Sequence, residues 1–252
     1  MTTDMTLEIC CGSYVSAMAA KQAGAQRVEL CSGLSEGGLT PSIGLIRAVC
    51  AIPGIVHHVL IRPRSGDFLY SIAEKDIIIS DITAAVDAGA DGVVVGALTA
   101  DGAIDVPFLH DCVKAAQGRN VTFHRAFDLC ASPFESICQI ADAGCSRILT
   151  SGLAATAQAG IPMLCRLADA APDGLSIMAG CGVNAGNVAR IIRETGVREV
   201  HASARVGMPS LMRFCREGVN MGRAGDNEYA TLETSVEVVR QLLEQIQTPM
   251  RA

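Results

Sequence analysis

The sequence predicts an α/β fold, a single (β/α)8 TIM barrel in which eight parallel strands alternate with eight helices. Strand-like and helix-like segments alternate strictly along the 252 residues, a short phrase recurs through them, and no composition break marks a second domain. We therefore expect residues 1–252 to form one TIM-barrel domain. The alternative is an open doubly wound sheet, which is weakened because no G-x-G-x-x-G motif follows the first predicted strand.

The recurring phrase is a sequence pattern that spans the end of a predicted helix and the start of the next predicted strand. A glycine follows an amphipathic stretch at Gly24, Gly89, Gly144 and Gly196, and a β-branched residue comes four positions after each of them. Glycine in this place is typical of a helix C-terminus with a positive φ. Each copy marks every second βα unit, which indicates a repeated architecture.

The remaining elements follow from apolar periodicity and from turn residues at their ends. Strands are predicted near Leu7–Cys11, Arg27–Ser32, His57–Arg62, Gly92–Gly96, Val121–Phe127, Arg147–Ser151, Leu175–Ala179 and Glu199–Ser203. Helices are predicted near Val15–Ala23, Ile43–Ala51, Ile72–Ala88, Val106–Ala116, Pro133–Ala143, Ile161–Ala170, Ala185–Glu194 and Leu232–Gln247. Asn184 and Thr231 are predicted N-caps. The segment Met208–Tyr229 is predicted to be a long loop that serves as a lid or an interface.

The composition excludes several classes of partner. Half of the residues are hydrophobic and the formal charge is −6, with no tryptophan, so a basic nucleic-acid surface is not expected. No apolar stretch reaches the roughly 18 residues of a membrane span, and the N-terminus does not resemble a signal peptide. We therefore expect a cytoplasmic protein, and its eleven cysteines, which include no C-x-x-C pair, are expected to be mostly reduced core thiols.

Polar side chains interrupt the apolar strands near their C-terminal ends. Because residues two apart on a strand share a face, five aligned pairs are predicted: Glu8 and Cys10, Glu29 and Cys31, Arg62 and Arg64, Thr122 and His124, and His201 and Ser203. Charged groups are costly to bury unless they are paired or line a cavity. The pairs therefore predict one shared cavity at the C-terminal mouth of the barrel.

Each of these residues also has a structural alternative. Glu8 and Glu29 could form buried ion pairs that hold the barrel register, and His124 and His201 could be satisfied core histidines. Arg125 alternates out of phase with His124, so it could face the helix layer.

The loop after the third predicted strand carries two cations, Arg62 and Arg64, and an acid, Asp67. Pro63 and Gly66 stiffen it, and guanidinium groups are suited to binding an anion. The sequence thus predicts a small anionic ligand at this loop.

Nine motifs resemble the CutC family, from the first predicted strand to the last. They are Leu7–Cys11, Arg27–Cys31, Glu36–Ser42, Ile61–Arg64, Gly66–Phe68, Thr122–Asp128, Leu149–Gly152, Ile177–Gly180 and Glu199–His201. The resemblance implies a cytoplasmic TIM barrel linked to copper homeostasis that binds Cu(I), with no organic cofactor. Carried over by position, Cys10 and Cys31 would be the copper ligands, since thiolates favour Cu(I).

The residues themselves leave two other functions open. One is an enzyme for a small anionic or polar metabolite, in which His124, Glu29, Glu8 and His201 carry acid–base chemistry. Arg62, Arg64, Thr122, Arg125 and Asp67 would then bind the ligand. The other is a regulatory barrel that binds a ligand without turnover. The expected partners are a copper ion or a small anionic molecule. A homo-oligomer of the chain is a third expectation.

Overall fold

A closed barrel of eight parallel strands, hydrogen-bonded in chain order, forms the centre of the protein. The computed structural model describes residues 5–216, 218–219, 221 and 227–247. The barrel strands are β1 (Thr6–Cys11), β2 (Arg27–Leu30), β3 (Val56–Leu60), β4 (Gly92–Val95), β5 (Asn120–Phe123), β6 (Arg147–Thr150), β7 (Ser176–Ala179) and β8 (Glu199–Ala202). The predicted TIM-barrel fold is confirmed.

Helices surround the barrel and alternate with its strands. They are α1 (Tyr14–Ala23), α2 (Ile43–Cys50), α3 (Ile72–Asp87), α4 (Val106–Ala115), α5 (Pro133–Asp142), α6 (Ile161–Ala170), α7 (Val188–Thr195) and α8 (Val236–Gln247). The four glycines of the recurring phrase have φ values between 71° and 99°, as the sequence predicts. Within the described ranges, no helix is both long and apolar enough to cross a bilayer.

Strand register decides which side chains enter the barrel. Glu8 of β1 lies opposite Arg27 and His201, and Cys10 lies opposite Glu29. The intervening residues of β1, such as Ile9, are fully buried in the apolar core between the strands and the helices. Burial of a side chain of this size contributes roughly 1.5–3 kcal/mol. The apolar positions thus hold the barrel together while the polar positions face its interior.

The end of the fifth strand differs from the prediction. Strand β5 ends at Phe123, and a 3-10 helix over Arg125–Leu129 follows it. His124 precedes that helix, and its Nδ1 accepts a hydrogen bond from the amide of Ala126. A side chain that caps the next turn stops the strand, so the predicted extension to Phe127 is wrong.

The chain after the barrel also differs. Arg205–Pro209 (β9) and Ala230–Thr234 (β10) form a two-stranded antiparallel sheet, where the sequence predicts a loop and the first turn of a helix. Thr231 pairs with Met208 in this sheet and is not an N-cap, and α7 begins after Asn187 and not after Asn184. Residues 217, 220 and 222–226 of the predicted loop lie outside the described residues.

Candidate functional site

Two thiols meet at the C-terminal ends of the first two strands. The Sγ atoms of Cys10 and Cys31 lie 3.3 Å apart, and both cysteines are free and buried. Leu60 and Val94 pack against them as a small apolar cluster. The hydrogen bond with Cys31 and burial raise the pKa of the Cys10 thiol well above its usual range, so Cys10 keeps its proton at neutral pH unless a metal ion displaces it.

A row of acidic and basic groups continues from the thiols into the barrel. The side chains of Cys10, Glu29 and Cys31 offer ligand atoms that all lie within 4.8 Å of one another, and so do those of Glu8, Glu29 and His201. His201 Nδ1 lies 2.7 Å from Glu8 Oε1, and its Nε2 lies 3.7 Å from Glu29 Oε2. Sulfur, oxygen and nitrogen donors are therefore contiguous here.

Burial and mutual contacts set the protonation states of Glu8, Glu29 and His201. Burial alone would raise the pKa of Glu8, but the hydrogen bond with His201 and the charge of Arg27 outweigh it and hold that pKa well below its usual range. Burial alone would lower the pKa of His201, but Glu29, Cys10 and Glu8 outweigh it and raise the pKa of the imidazole well above its usual value. Burial raises the pKa of Glu29. Glu8 and His201 are therefore a charged pair at neutral pH.

A charge network lies beneath the row and crosses the barrel. Arg27 pairs with Glu8 and with Glu199, and Arg147 Nε lies 2.5 Å from Glu199 Oε2. Arg147 also donates to Thr122 Oγ1 at 3.2 Å. Two guanidinium groups and two carboxylates cancel in charge, which is how buried ions are tolerated in a barrel interior.

A cavity of about 130 Å³ opens beside the thiols. Its lining includes Cys10, Glu29, Gly37, Leu60, Arg62, Phe68, His124, Arg125, Leu149 and His201. Arg62 donates to the carbonyl oxygens of Glu36, Gly38 and Gly66 at 3.0, 3.0 and 2.8 Å. Its guanidinium lies over the Phe68 ring, 5.1 Å from the centroid. The cavity thus has one strongly positive wall.

His124 also contacts Phe68, with ring centroids 4.9 Å apart. Burial and the charge of Arg62 lower the pKa of its imidazole to about 3. His124 is therefore neutral at pH 7, and because Nδ1 accepts from Ala126, its proton is on Nε2. Such a group is a hydrogen-bond donor toward a ligand and not a general base.

Arg125 lines the cavity from the 3-10 helix, in spite of its position out of phase with the strand. Its Nε lies 2.7 Å from Asp128 Oδ2 and one terminal nitrogen lies 3.2 Å from Ser151 Oγ. Asp128 in turn accepts hydrogen bonds from the amides of Ser151 and Leu153. The side chain is partly exposed, so Arg125 sits at the rim.

Two predicted ligand-binding residues lie outside the cavity. Arg64 does not line the cavity, and it pairs with Glu74 at 2.5 Å and with Asp67 at 3.0 Å. The predicted pairing of Arg62 with Arg64 on one face is wrong because β3 ends at Leu60, before the alternation reaches them. Asp67 is exposed and stabilises the loop through Arg64.

Two further candidates lie deeper than predicted. Thr122 is fully buried and accepts from Arg147, and Glu8 belongs to the charge network below the mouth. Within the described part of the chain, no hydrogen bond joins His124 to Glu29, so the structure gives no contact for shared proton transfer between them.

Sequence reasoning missed the residues that support the site. Arg27, Arg147 and Glu199 each stand two positions before an inward-facing residue, and the same period-2 rule would have placed them inside the barrel. Phe68, which contacts both Arg62 and His124, has no such signal because it lies in a loop.

We expect the free energy of unfolding to fall when the pH is lowered from 6.5 to 4.5. Burial lowers the pKa of His58 to about 4, so the unfolded chain binds a proton in this window that the folded chain excludes, and each pH unit costs up to about 1.4 kcal/mol. Urea unfolding at several pH values gives the free energy of unfolding as a function of pH. The slope of this free energy against pH should be smaller for His58→Gln and unchanged for His110→Gln, an exposed position. Equal slopes in both variants would contradict this origin.

The barrel and its mouth match proteins of known family. A model of the CutC family matches residues 5–206, which include the thiol pair and the whole lining of the cavity. A relative from Bacteroides fragilis named as a family protein CutC is 47% identical over 241 residues, covering 95% of this chain and 96% of the relative. A second, from Chromobacterium violaceum, is 48% identical and covers 96% of this chain and 98% of the relative.

A solved structure shares the same architecture. It comes from Streptococcus agalactiae and carries the name of the copper homeostasis protein CutC. It is 34% identical with a TM-score of 0.75, and the alignment covers 79% of this chain and 98% of that one.

Proposed function

The chain belongs to the CutC family, and on this premise we propose that it acts in copper homeostasis by binding Cu(I) at Cys10 and Cys31. The observation that carries the proposal is the approach of the two sulfur atoms to 3.3 Å. Soft thiolate ligands select Cu(I) over harder ions. The copper ion is the cargo, and the barrel supplies a preformed pair of ligands for it.

The arrangement around the thiols fits such an ion. Two metal–sulfur bonds of about 2.3 Å require sulfur atoms roughly 3.8 to 4.6 Å apart, depending on the bond angle. The pair must therefore open by about 1 Å when the ion enters. Glu29 offers a further donor atom within 4.8 Å of both sulfur atoms, and the apolar side chains of Leu60 and Val94 keep water from competing for the ion.

The cysteine inventory supports a reducing location, which we propose is the cytoplasm. Among the residues that the structure describes, all eleven cysteines are free thiols. A thiol pair at contact distance stays available for copper only where disulfides do not persist.

A competition titration tests the proposal. Under anaerobic conditions, Cu(I) is titrated into the protein against a chelator of known affinity. We expect one tightly bound Cu(I) per chain, and at least about 100-fold weaker binding, roughly 2.7 kcal/mol, in Cys10→Ser/Cys31→Ser. The matched control is Cys138→Ser/Cys215→Ser, which removes two exposed thiols and should bind as the parent does. Equal losses in both variants would mean that copper binds thiols indiscriminately.

A second candidate function is turnover of a small anionic or polar metabolite at the same mouth. The observation that favours it is the pair of Glu29, whose pKa burial raises, and the neutral imidazole of His124 in one cavity. A carboxylate with a raised pKa suits a general base, and a neutral imidazole can polarise a carbonyl group. The same cavity without turnover would serve a regulatory ligand.

A further inference from the structure

Arg62 is a buried cation without a counter-ion. Its side chain is only 7% exposed, and its hydrogen bonds go to carbonyl oxygens, which carry no net charge. In the described ranges, no carboxylate forms an ion pair with it, although every other buried arginine there has one. Its Nε–H is buried and has no hydrogen-bond partner. Burying an unpaired charge is costly, so the position calls for an anion.

His124 lines the same cavity and carries a second unused donor. It is 5% exposed, and its Nε2 is buried with no partner. Its Nδ1 is occupied by the Ala126 amide, which leaves the Nε2–H as the free end of the ring. Buried donors without partners are rare in folded proteins and indicate a missing ligand or water.

We propose that the mouth of the barrel binds a small organic carboxylate, whose oxygen atoms accept hydrogen bonds from Arg62 Nε–H and His124 Nε2–H. Both residues contact the Phe68 ring and line one cavity of about 130 Å³. This ligand is separate from the copper ion of the proposed function, because neither donor belongs to the thiol pair.

The class of anion follows from charge and shape. One unpaired guanidinium balances one negative charge, and a phosphate dianion would leave a second charge without a counter-ion. Leu60, Phe68 and Leu149 form an apolar part of the cavity wall, which suits the carbon chain of a carboxylate. A monoanion with a short apolar tail therefore fits better than inorganic phosphate.

The test uses propionate as the probe and inorganic phosphate as the comparison. Histidine is labelled with ¹⁵N, and the imidazole resonances of the five histidines are followed during each titration. We expect propionate to shift the Nε2 resonance of His124 saturably, with a dissociation constant of roughly millimolar order, and phosphate to bind at least tenfold more weakly. No saturable shift with propionate, or tighter binding of phosphate, would overturn the proposal.

Two substitutions of His124 separate its donor from its structural role. His124→Asn keeps an acceptor for the Ala126 amide, as asparagine caps helices well, but it removes the donor at the Nε2 position. His124→Gln has the reach to place an amide N–H at that position. We expect propionate binding, followed by calorimetry, to weaken at least tenfold in the asparagine variant and by less than about threefold in the glutamine variant. Equal losses would overturn the role of the donor.

The role of the Arg62 charge is tested by the same calorimetric titration with propionate. Arg62→Gln should weaken propionate binding at least tenfold, whereas Arg64→Gln, which alters a cation outside the cavity, should leave it unchanged. Because Arg62 also anchors two loops, the His124 pair decides the outcome if Arg62→Gln unfolds. The copper titration reports on the thiols, whereas the propionate titration reports on the His124 imidazole, so failure of the copper proposal and failure of this one are distinguishable.

Discussion

Replacing Arg27 by methionine is expected to lower the free energy of unfolding by about 3–5 kcal/mol. Arg27 pairs with two buried carboxylates, Glu8 and Glu199. Methionine fills a similar volume, but it leaves Glu8 with His201 and Glu199 with Arg147, so each buried carboxylate loses one charge-assisted hydrogen bond. Chemical denaturation followed by circular dichroism measures the change.

The matched control for Arg27→Met is Arg198→Met. Arg198 is exposed at the start of β8, and a surface change of this kind should cost less than about 0.5 kcal/mol. A loss below 1 kcal/mol in Arg27→Met would show that the network beneath the mouth does not act as a coupled unit.

Replacing Gly160 by alanine is expected to destabilise the protein by about 3 kcal/mol. A Cβ atom at Gly160 would lie 1.8 Å from the carbonyl oxygen of Ser151, and a backbone oxygen cannot rotate away as a side chain can. Ser151 also binds Asp128, which holds Arg125 at the rim of the cavity. The substitution should therefore reduce propionate binding as well as the unfolding midpoint.

Gly207→Ala is the control for this steric argument. No atom lies within 4 Å of a Cβ at Gly207, and its φ is not positive. Its unfolding midpoint should match that of the parent within error. If Gly160→Ala were equally stable, the loop after β6 would have to be free to move, and its role in placing Arg125 would be lost.

The sequence could predict the barrel because its signals are local. A helix C-terminus marked by Gly24 or Gly196 depends only on adjacent residues, and the alternation within β1 places Glu8 and Cys10 on one face. These inferences need no knowledge of distant contacts, whereas the proximity of Cys10 to Cys31 is implied by the family resemblance.

The errors arise where the strand pattern stops and distant contacts take over. The alternation rule fails for Arg64 because β3 ends at Leu60, and it fails for Arg125 because a 3-10 helix begins there. The alternation rule also does not say how deep in the barrel a side chain lies. It therefore could not distinguish Glu8, which lies in the charge network, from Glu29, which lines the cavity. The sheet formed by β9 and β10 depends on pairing between segments that are far apart in the sequence.

Anomalous diffraction at the copper edge, from crystals loaded with Cu(I), tests the central claim most directly. We expect one copper peak between Cys10 Sγ and Cys31 Sγ, with the two sulfur atoms separated by roughly 3.8 to 4.6 Å and no longer by 3.3 Å. A peak at an exposed thiol such as Cys138, with the Cys10–Cys31 pair still in contact, would contradict the account.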